Sequence, residues 1–504
     1  MALKRIVSTA LAAVMALSLM AGCTKNEGTQ ASSTGTQTTN ETSAQKTPDA
    51  KPAIRYLHGY HNSVDLITKN GEDLNNNRIS KAHNENTGIN VQWEMLPKSD
   101  ADTKIAMAFS SGDVPDLITL TKDNAFKYAA QGAIAPLDEL ISKYCPNYLS
   151  ITPQDIQDAV KSKGESIAFA MLGEGALEVA SSGTVVRRDI MDELGLKDPK
   201  TLDEYVALMK TVKEKKNMIP IESSDVLLQP VMGAFGVAGR TVVKNGKLEF
   251  SYIQPEFKEY LAFVKGMYDQ GLIDREFALV KDNSQKLLEG RAFAMMSDWI
   301  GIAINKTKLA DKFPQAKLDH IPYPEGKNGM KGSIQTTLYG ILTCIPAKAK
   351  NKEAAAQFVN YMGSEKAGLV QDYGIEGVDY KVENGKIVQT LEEQTNVTWK
   401  ICYQTIVRAD SFPRRLKLKG FDPEYNRQAE FSKGAIITEP TLVAPPIEKY
   451  DGKYADLKKH VDEYTTKVAM GAASLDDFDR YVQEFNAKGG KEAIDAMNEW
   501  YTKK

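Results

Sequence analysis

Short apolar runs alternate with amphipathic helical stretches along most of the chain. "AIRYL" at residues 53–57 predicts a first strand, and the polar stretch that follows predicts a helix around residues 75–86. "GINVQWEML" at 88–96 alternates as a half-buried strand does, and Trp93 falls on its apolar side. "DADTKIAMAFSSG" predicts a helix that stops at Gly112, and "PDLITL" predicts the next strand. This order of elements predicts an α/β sheet with helices on its faces.

The same kind of pattern returns late in the chain. "YGILTCIP" at 339–346 predicts a strand, and "NKEAAAQFVNYM" at 351–362 predicts a helix. Between the two regions lies a different block, so we expect one lobe that is interrupted by a second. A chain built in this way crosses between its lobes at least twice. A cleft between two such lobes is a natural place to close on a ligand.

The block in the middle has its own local signals. "TVVRRDIMDELGL" and "TLDEYVALMKTVKEK" predict a strand and two helices, and Thr201 with Glu204 forms a capping box. "VVKNGKLEF" predicts a hairpin with Asn245 and Gly246 at the turn. "QPEFKEYLAFVKGMYDQGL" predicts a helix with Pro255 near its start. These elements suit a second α/β lobe.

The N-terminus reads as a secretion signal. Lys4 and Arg5 precede an apolar run, Ile6–Ala21, that is too short to be a comfortable membrane span. The pattern then ends in residues that resemble a bacterial lipobox, namely Leu19, Ala21, Gly22 and Cys23. The resemblance implies that residues 1–22 are a lipoprotein signal peptide and that the Cys23 thiol is lipidated. The alternative is ordinary secretion with an incidental cysteine.

The stretch after Cys23 predicts a flexible tether at residues 23–52. It is mostly Thr, Ser, Gln, Asn, Gly and Lys, and such a composition cannot bury enough apolar surface to offset the entropy of ordering. A coil of about thirty residues would hold a folded body roughly 30 Å from the bilayer. A body tethered to the extracytoplasmic face of the cell membrane serves capture, sensing, adhesion or extracellular hydrolysis.

The overall composition predicts the number of lobes and argues against nucleic-acid binding and metal binding. About 450 residues remain after the tether, which exceeds one hydrophobic core and predicts two lobes. The net charge is -3, so there is no basic surplus to indicate nucleic acid. The three further cysteines are far apart and lie in no CxxC or metal-ligand spacing, so we expect buried free thiols with at most one disulfide: Cys145, Cys344 and Cys402. We expect no metal and no cofactor.

Several motifs in one order resemble a known family. They are "TGINVQWEMLP", "KIAMAFSSGDVPDLI", "YAAQGAIAPLDELISKYCPN", "VVRRDIMDELGLKDPKTLDEY", "YDQGLID" and "DYGIEGVDY". Together they are similar to the family-1 extracellular solute-binding proteins of ABC importers, in the lipoprotein-type branch, over residues from about 53 to 450. The resemblance implies a type II periplasmic-binding-protein fold, two α/β lobes around a hinged cleft. It also implies a monomer that binds a mono- or oligosaccharide and delivers it to the transmembrane subunits of an ABC permease.

This layout divides the chain into segments. We expect lobe 1 at 53–175, lobe 2 at 176–338, a return to lobe 1 at 339–375 and a C-terminal segment with completing helices at 376–504. Some relatives carry a calcium loop after the helix that matches "TLDEYVALMKTVKEK". Here that place reads "KKNMIPIES", and "EDLNNNRIS" at 72–80 lacks the glycine and terminal glutamate of an EF-hand loop. The sequence therefore does not predict calcium.

Sugar recognition requires aromatic plates for the C–H faces of the rings, with carboxylates, amides or arginine for the hydroxyls. The loop "LHGYHNS" follows the first strand and offers His58, Tyr60 and Asn62. It would otherwise be an ordinary surface loop. Asp123 and Asn124 follow the "DLITL" strand and, by resemblance to related maltodextrin binders, contact sugar hydroxyls. Their alternative role is helix N-capping.

Further candidates lie near the predicted crossings between the lobes. Asp298 and Trp299 open a helix after a strand, where related binders carry a sugar-stacking tryptophan; a core tryptophan is the alternative. The remaining ligand candidates are Glu174 near the first crossing, Tyr339 near the return, Glu376 in "YGIEGVDY", and Trp399 and Tyr403 beyond it. Glu376 would otherwise hold a structural turn, and Trp93 is expected in the core. One of Arg187 and Arg188 is expected to pair with Asp189 or Asp192.

The main rival is an anchored glycoside hydrolase, which needs two carboxylates that face one glycosidic bond. Glu174, Asp298 and Glu376 could supply such a pair. A sensor lipoprotein that presents its ligand to a membrane receptor is a third hypothesis. The family resemblance and the interrupted lobe favour a binding protein over an enzyme.

Overall fold

The computed structural model describes residues 51–60, 65–172, 179–335, 339–408 and 420–503, with single positions 411, 414, 416 and 417 and without the side chain of Leu391. The described residues belong to one unit, Lys51–Lys504. The predicted signal peptide, Cys23 and most of the tether therefore lie outside the described residues. These predictions stay untested by the structure.

The strands are numbered in chain order. They are β1 (Ala53–His58), β2 (Asn90–Met95), β3 (Leu117–Leu120), β4 (Lys161–Ser162), β5 (Glu165–Ser166), β6 (Phe169–Leu172), β7 (Gly183–Arg187), β8 (Ile219–Glu222), β9 (Thr241–Lys244), β10 (Lys247–Phe250), β11 (Ala292–Ser297), β12 (Leu318–Ile321), β13 (Ser333–Ile334), β14 (Tyr339–Cys344), β15 (Lys381–Glu383), β16 (Lys386–Val388) and β17 (Ile436–Ile437).

The helices are numbered in the same way. They are α1 (Asp65–Lys69), α2 (Arg78–Thr87), α3 (Lys98–Ser111), α4 (Lys122–Ala130), α5 (Asp138–Tyr144), α6 (Pro146–Ile151), α7 (Gln154–Ala159), α8 (Arg188–Glu193), α9 (Leu202–Lys216), α10 (Gln229–Met232), α11 (Pro255–Asp269), α12 (Gln285–Leu288), α13 (Trp299–Lys312), α14 (Lys352–Met362), α15 (Glu365–Tyr373), α16 (Leu391–Asn396), α17 (Asp422–Ser432), α18 (Glu448–Ala469), α19 (Phe478–Phe485) and α20 (Lys491–Tyr501).

Two separate sheets organise the chain. The first has the order β2-β1-β3-β14-β6, in which β1 runs parallel to β2 and β3, while β14 runs antiparallel to β3 and β6. The second has the order β12-β7-β11-β8, in which β11 is parallel to β8 and antiparallel to β7. The second sheet is built between β6 and β14, two neighbouring strands of the first. The expected lobe limits at 175 and 338 fall outside the described residues and stay predictions.

Local sequence signals explain many element boundaries. The hydroxyl of Thr201 accepts the N–H of Glu204 at 3.2 Å, and the Glu204 carboxylate accepts the N–H of Thr201, which confirms the predicted capping box of α9. Gly112 ends α3 with a φ of 77°, a conformation that costs glycine little. The β9–β10 hairpin turns at Asn245 and Gly246, both with positive φ, as a type I′ turn requires.

Each sheet has its own apolar core. The largest aromatic side chains beneath the first sheet include Tyr56, Trp93 and Phe358, and Trp93 is 1% exposed, as the alternation in its strand predicts. A second core beneath the other sheet includes Tyr205 and Phe257, and the C-terminal helices α18, α19 and α20 add apolar side chains to it. Burial of aromatic surface of this kind supplies most of the stability of a lobe.

The remaining sequence-level expectations about local chemistry also have outcomes. Arg187 forms an ion pair with Asp189 at 2.7 Å, as predicted. None of the three described cysteines forms a disulfide with another, and all three are buried. Burial raises the pKa of the Cys145 and Cys402 thiols to about 12. Among the described residues, no group of three or more His, Cys, Asp or Glu side chains is arranged to hold a metal ion. None of the described helices has the length and apolar character of a membrane span.

Candidate functional site

A cavity of about 730 Å³ lies between elements of the two lobes. The first lobe contributes Lys122 and Tyr339, and the second contributes Gln229, Arg240 and Tyr252. Further lining residues come from the crossing segments and from the chain before and within α18, and they include Ser181, Ile334, Gln335, Glu439, Thr441, Leu442, Tyr450, Asp451, Tyr454 and Lys458. This volume is typical of a site for a small molecule of one to a few rings.

The topology explains why these residues meet. Lys122 opens α4 directly after β3, and Tyr339 is the first residue of the antiparallel neighbour β14, so both lie at the same edge of the first sheet. In open α/β sheets this edge, outside the carboxyl ends of the parallel strands, is the usual ligand position. The crossing chains pair beside it, because Ser181 N–H donates to the Ile334 carbonyl at 2.8 Å.

Tyr339 is the sequence-predicted ligand residue that the structure places in this cavity. Its side chain is 4% exposed. Its hydroxyl has no hydrogen-bond partner within the part of the chain that the structure describes. Burial raises the pKa of this phenol, so the hydroxyl keeps its proton and can both donate and accept. A buried polar group without a partner is costly, and a ligand hydroxyl would satisfy it.

Two cations face the same cavity. The Lys122 ammonium lies 5.8 Å from the centre of the Tyr339 ring, and the Arg240 guanidinium lies 4.1 Å from the centre of the Tyr454 ring. Burial lowers the pKa of Lys122; the carboxylates of Asp451 and Asp123 counteract this in part, and the charge of Arg240 adds a small further lowering. Aromatic faces stabilise both cations in part.

The Glu439 carboxylate lies in the cavity wall, but its oxygens are already in use. It is 5% exposed and accepts the backbone N–H groups of Arg240 and Thr241, the latter at 3.2 Å. The hydroxyls of Thr241 and Thr441 also donate to it. With four donors, Glu439 holds the loop before β9 in place and has little capacity left for a ligand.

A second polar cluster surrounds the start of α4. The Tyr60 hydroxyl donates to Asp102 Oδ1 at 2.6 Å, and the Asn124 amide donates to the same oxygen at 2.7 Å and to the Tyr60 hydroxyl at 3.2 Å. Burial and this carboxylate raise the pKa of Tyr60 to about 12. Tyr60 has a φ of 66°, a strained value for a residue with a Cβ. A fixed phenol, carboxylate and amide suit the recognition of sugar hydroxyls.

Asp123 and Asn124 do not cap α4. The cap is the Thr121 hydroxyl, which accepts the N–H of Asn124 at 3.3 Å. The Asp123 side chain is exposed beside this helix start, and the Asn124 amide is directed to Tyr60 and Asp102. The alternative reading of these two residues as N-caps is therefore wrong, whereas ligand contact by them stays a prediction.

Asp298 and Trp299 open α13 at the end of β11, as predicted, but they do not line the cavity. The Asp298 carboxylate caps the helix by accepting the N–H of Gly301 at 2.8 Å. The Trp299 ring is 4% exposed because α17 covers it. Tyr425 contacts it edge-on with ring centres 5.8 Å apart, and the Gln428 side chain accepts the backbone N–H of Trp299 at 2.6 Å. Stacking by Trp299 therefore requires α17 to move.

Three further expectations need correction. His58 belongs to β1 rather than to the following loop; it is 0% exposed, with Nδ1 2.7 Å from the Thr119 hydroxyl. Trp399 and Tyr403 belong to the core of the first lobe and are 1% and 0% exposed. Arg78 lies over the Trp399 ring, and the Tyr403 hydroxyl donates to the Leu74 carbonyl at 2.6 Å. None of these three side chains offers a surface to a ligand.

The other predicted ligand residues are either remote from the cavity or outside the description. Glu376 is exposed, pairs through its backbone with Tyr380 and does not contribute to the cavity lining. Its alternative role in a structural turn fits this position. Asn62 and Glu174 lie outside the described residues.

Sequence reasoning missed most of the cavity wall. Lys122 was adjacent to two predicted residues, and the signal that singled those out, a helix start after a buried strand, applied to it equally. Arg240, Tyr252 and Tyr454 carry no local signal, because only the packing of α18 against the second lobe brings them together.

Comparisons with known proteins agree with this architecture. The family described as "Bacterial extracellular solute-binding protein" matches residues 78–374. "Lipoprotein LipO" of Bacillus subtilis (strain 168) is 22% identical over 452 residues, which are 84% of this chain and 88% of that protein. "Polygalacturonan/rhamnogalacturonan-binding protein YtcQ" of the same organism is 24% identical over 445 residues, 82% of this chain and 85% of that protein.

The fold is also similar to solved structures. An HMO-binding, ABC-transporter-associated solute-binding protein from Bifidobacterium longum infantis superposes with a TM-score of 0.69 at 16% identity, and the match covers 90% of this chain and 99% of that one. The predicted fold class, two α/β lobes of the periplasmic-binding-protein type, is confirmed.

Proposed function

The chain belongs to the family of bacterial extracellular solute-binding proteins, and from that premise we propose that it holds its sugar in the cavity between the lobes. It captures a carbohydrate outside the cytoplasm for delivery by an ABC transporter, and it is a binding protein rather than an enzyme. The observation that supports the site is Tyr339, which lines this cavity and whose buried hydroxyl has no partner among the described residues.

We propose that different residues of the site bind different parts of the ligand. Tyr339 and the aromatic wall of Tyr252 and Tyr454 hold the central sugar ring, since phenol hydroxyls and ring faces match its hydroxyls and C–H groups. Tyr60, Asp123 and Asn124 contact a further unit at the neighbouring edge. Trp299 contributes only in a state in which α17 has left its ring.

Capture follows from the two-lobe architecture. The open protein samples closure, and a ligand that contacts both lobes shifts the population toward the closed state. The closed form then docks onto the transmembrane subunits of the permease. We propose that Cys23 is lipidated and that the tether of residues 23–52 keeps a monomer beside this permease.

The chemistry of the cavity disfavours hydrolysis. A glycoside hydrolase needs one carboxylic acid and one carboxylate on either side of the scissile bond. Glu439 is saturated by four donors, and Asp451 accepts the N–H of Ile447 at 2.7 Å at the rim. Asp298 and Glu376, two of the carboxylates proposed for catalysis, are absent from the lining.

The proposal is tested by calorimetry of the full-length protein with a panel of neutral and acidic oligosaccharides. We expect one saccharide class to bind with 1:1 stoichiometry, and chromatography of the same samples to recover it intact. Thermal stabilisation should accompany binding, since the ligand binds only the folded state. Release of reducing ends would contradict the binding role, and failure of every saccharide to bind would contradict carbohydrate capture.

A further inference from the structure

The cavity lining includes two positive side chains, Lys122 and Arg240, that form no ion pair with a described residue. Within the residues that the structure describes, neither the Lys122 ammonium nor the Arg240 guanidinium forms an ion pair or a side-chain hydrogen bond; each contacts an aromatic face, and Asp451 and Asp123 act on Lys122 at longer range. Lys122 is half-buried, and a lysine side chain removed from water is normally paired, whereas Arg240 is exposed. The chain as a whole has a net charge of -3, so this local excess of cations does not reflect a basic protein.

The described carboxylates in the wall form no ion pair with these cations, and Asp451 acts on Lys122 only at longer range. Glu439 is occupied by four hydrogen-bond donors, as described above. Asp451 lies at the exposed rim, where it accepts the N–H of Ile447. The third cation of the lining, Lys458, differs from the first two because it forms an ion pair with Asp462. The unpaired charge is therefore confined to Lys122 and Arg240.

The same cavity is lined by a tyrosine whose hydroxyl also lacks a partner among the described residues. The Lys122 ammonium lies over the Tyr339 ring, and the Tyr339 hydroxyl is the buried group that the ligand is proposed to satisfy. A ligand that satisfies all three groups must present a hydroxyl and a negative charge on one compact polar body. A sugar ring that carries a carboxylate has this combination.

We propose that the sugar bound in this cavity is a uronic acid unit whose carboxylate lies between Lys122 and Arg240. The inference rests on the proposed function, and it narrows the ligand from carbohydrates in general to acidic sugars. The carboxylate accepts charge-assisted hydrogen bonds from both cations, and the Tyr339 hydroxyl binds a ring hydroxyl. Arg240 suits a planar carboxylate because its guanidinium presents parallel donors.

The test compares acidic sugars with their uncharged counterparts. The full-length protein is titrated by calorimetry with the tri-uronates of galacturonic, mannuronic and glucuronic acid and with the same trisaccharides after methyl esterification. We expect at least one tri-uronate to bind roughly tenfold or more tightly than its methyl ester, because charge-assisted hydrogen bonds to a carboxylate are the strong ones. High NaCl should weaken the acid and leave the ester nearly unchanged.

Substitutions of the lining cations test where the carboxylate of the ligand binds. Lys122→Gln and Arg240→Gln should each weaken the acid by roughly tenfold and change affinity for the ester by less than about twofold. Lys458→Gln is the matched control, since it removes an equal charge from the lining that is already paired; it should change affinity for the acid by less than about twofold. Thermal unfolding of each variant verifies that it is folded.

Each outcome is decisive. Equal affinity for acid and ester, or equal loss from Lys122→Gln and Lys458→Gln, would overturn the inference. Binding of neutral oligosaccharides alone would also overturn it while leaving the proposed function intact. Binding of inorganic phosphate without any tri-uronate would show an anion site that is not a sugar site. If no saccharide binds, the proposed function itself fails.

Discussion

Removal of a single oxygen atom, in Tyr339→Phe, should have opposite effects on stability and on ligand binding. The hydroxyl is buried, with the side chain 4% exposed, and no described residue bonds to it. A buried polar group that is left unsatisfied costs about 1–3 kcal/mol. The phenylalanine variant of the ligand-free protein should therefore be more stable, by about 1 kcal/mol, because this cost disappears and the ring still fills its place.

Ligand affinity should fall in the same variant. A neutral hydrogen bond contributes about 0.5–1.5 kcal/mol net, so the loss corresponds to roughly a two- to tenfold weaker dissociation constant. Calorimetry measures the affinity, and thermal unfolding without ligand measures the stability. In a protein of this size the expected rise in the unfolding midpoint is roughly 1–3 °C.

A matched control is available in the same sheet. Tyr56 is 0% exposed, but its hydroxyl is bonded to those of Thr119 and Thr343 at 3.2 and 3.1 Å. Tyr56→Phe should destabilise the protein by about 1–2 kcal/mol and leave affinity unchanged. The reasoning is refuted if Tyr339→Phe destabilises the free protein as Tyr56→Phe does, or if it binds ligand as tightly as the wild type.

Three other predictions follow from the structure. Burial lowers the pKa of His83 and His320 to about 4, whereas a histidine in the unfolded chain has a pKa of about 6.5. The free energy of unfolding should therefore fall as the pH drops from about 6.5 toward 4, by up to about 3 kcal/mol per histidine. A denaturation midpoint that does not change over this pH range would contradict the prediction. Gly332→Ala should destabilise the protein by at least about 2 kcal/mol more than the control variant Gly246→Ala. A Cβ at 332 would lie 1.8 Å from the Ala435 carbonyl oxygen, whereas a Cβ at 246 has no neighbour within 4 Å. Equal unfolding midpoints for the two variants would contradict this close approach. Thiol titration should detect none of the described cysteines in the folded protein and all of them after denaturation, namely Cys145, Cys344 and Cys402; a missing thiol in the denatured sample would indicate a disulfide.

The periodicity of apolar residues and the residues that end helices or form turns made much of the fold predictable. The strand at 90–95, the helix that stops at Gly112 and the hairpin at Asn245 follow from alternation, a C-terminal glycine and an Asn-Gly turn. Asp298 was also predictable as the start of a helix, since the residue type and the preceding strand define an N-cap. These features depend on residues that are adjacent in the sequence, so they can be predicted from the local sequence.

The environment of a side chain was less predictable. Trp299 has the expected local position, but α17, more than a hundred residues later in the chain, covers its ring. His58 lies one residue beyond the apolar run that defined its strand, and the bond to Thr119 places it in the core. Lys122, Arg240 and Tyr454 converge from three distant segments. No single-sequence pattern reports such convergence.

We propose that the two lobes hold a sugar intact in the cavity beside Tyr339. The most direct test is a crystal structure of the full-length protein with the tightest-binding oligosaccharide from the calorimetric panel. We expect an unbroken sugar in this cavity, with a ring hydroxyl within about 3 Å of the Tyr339 hydroxyl oxygen. A sugar that occupies the Trp299 face after displacement of α17, with the Tyr339 cavity unchanged, would contradict it.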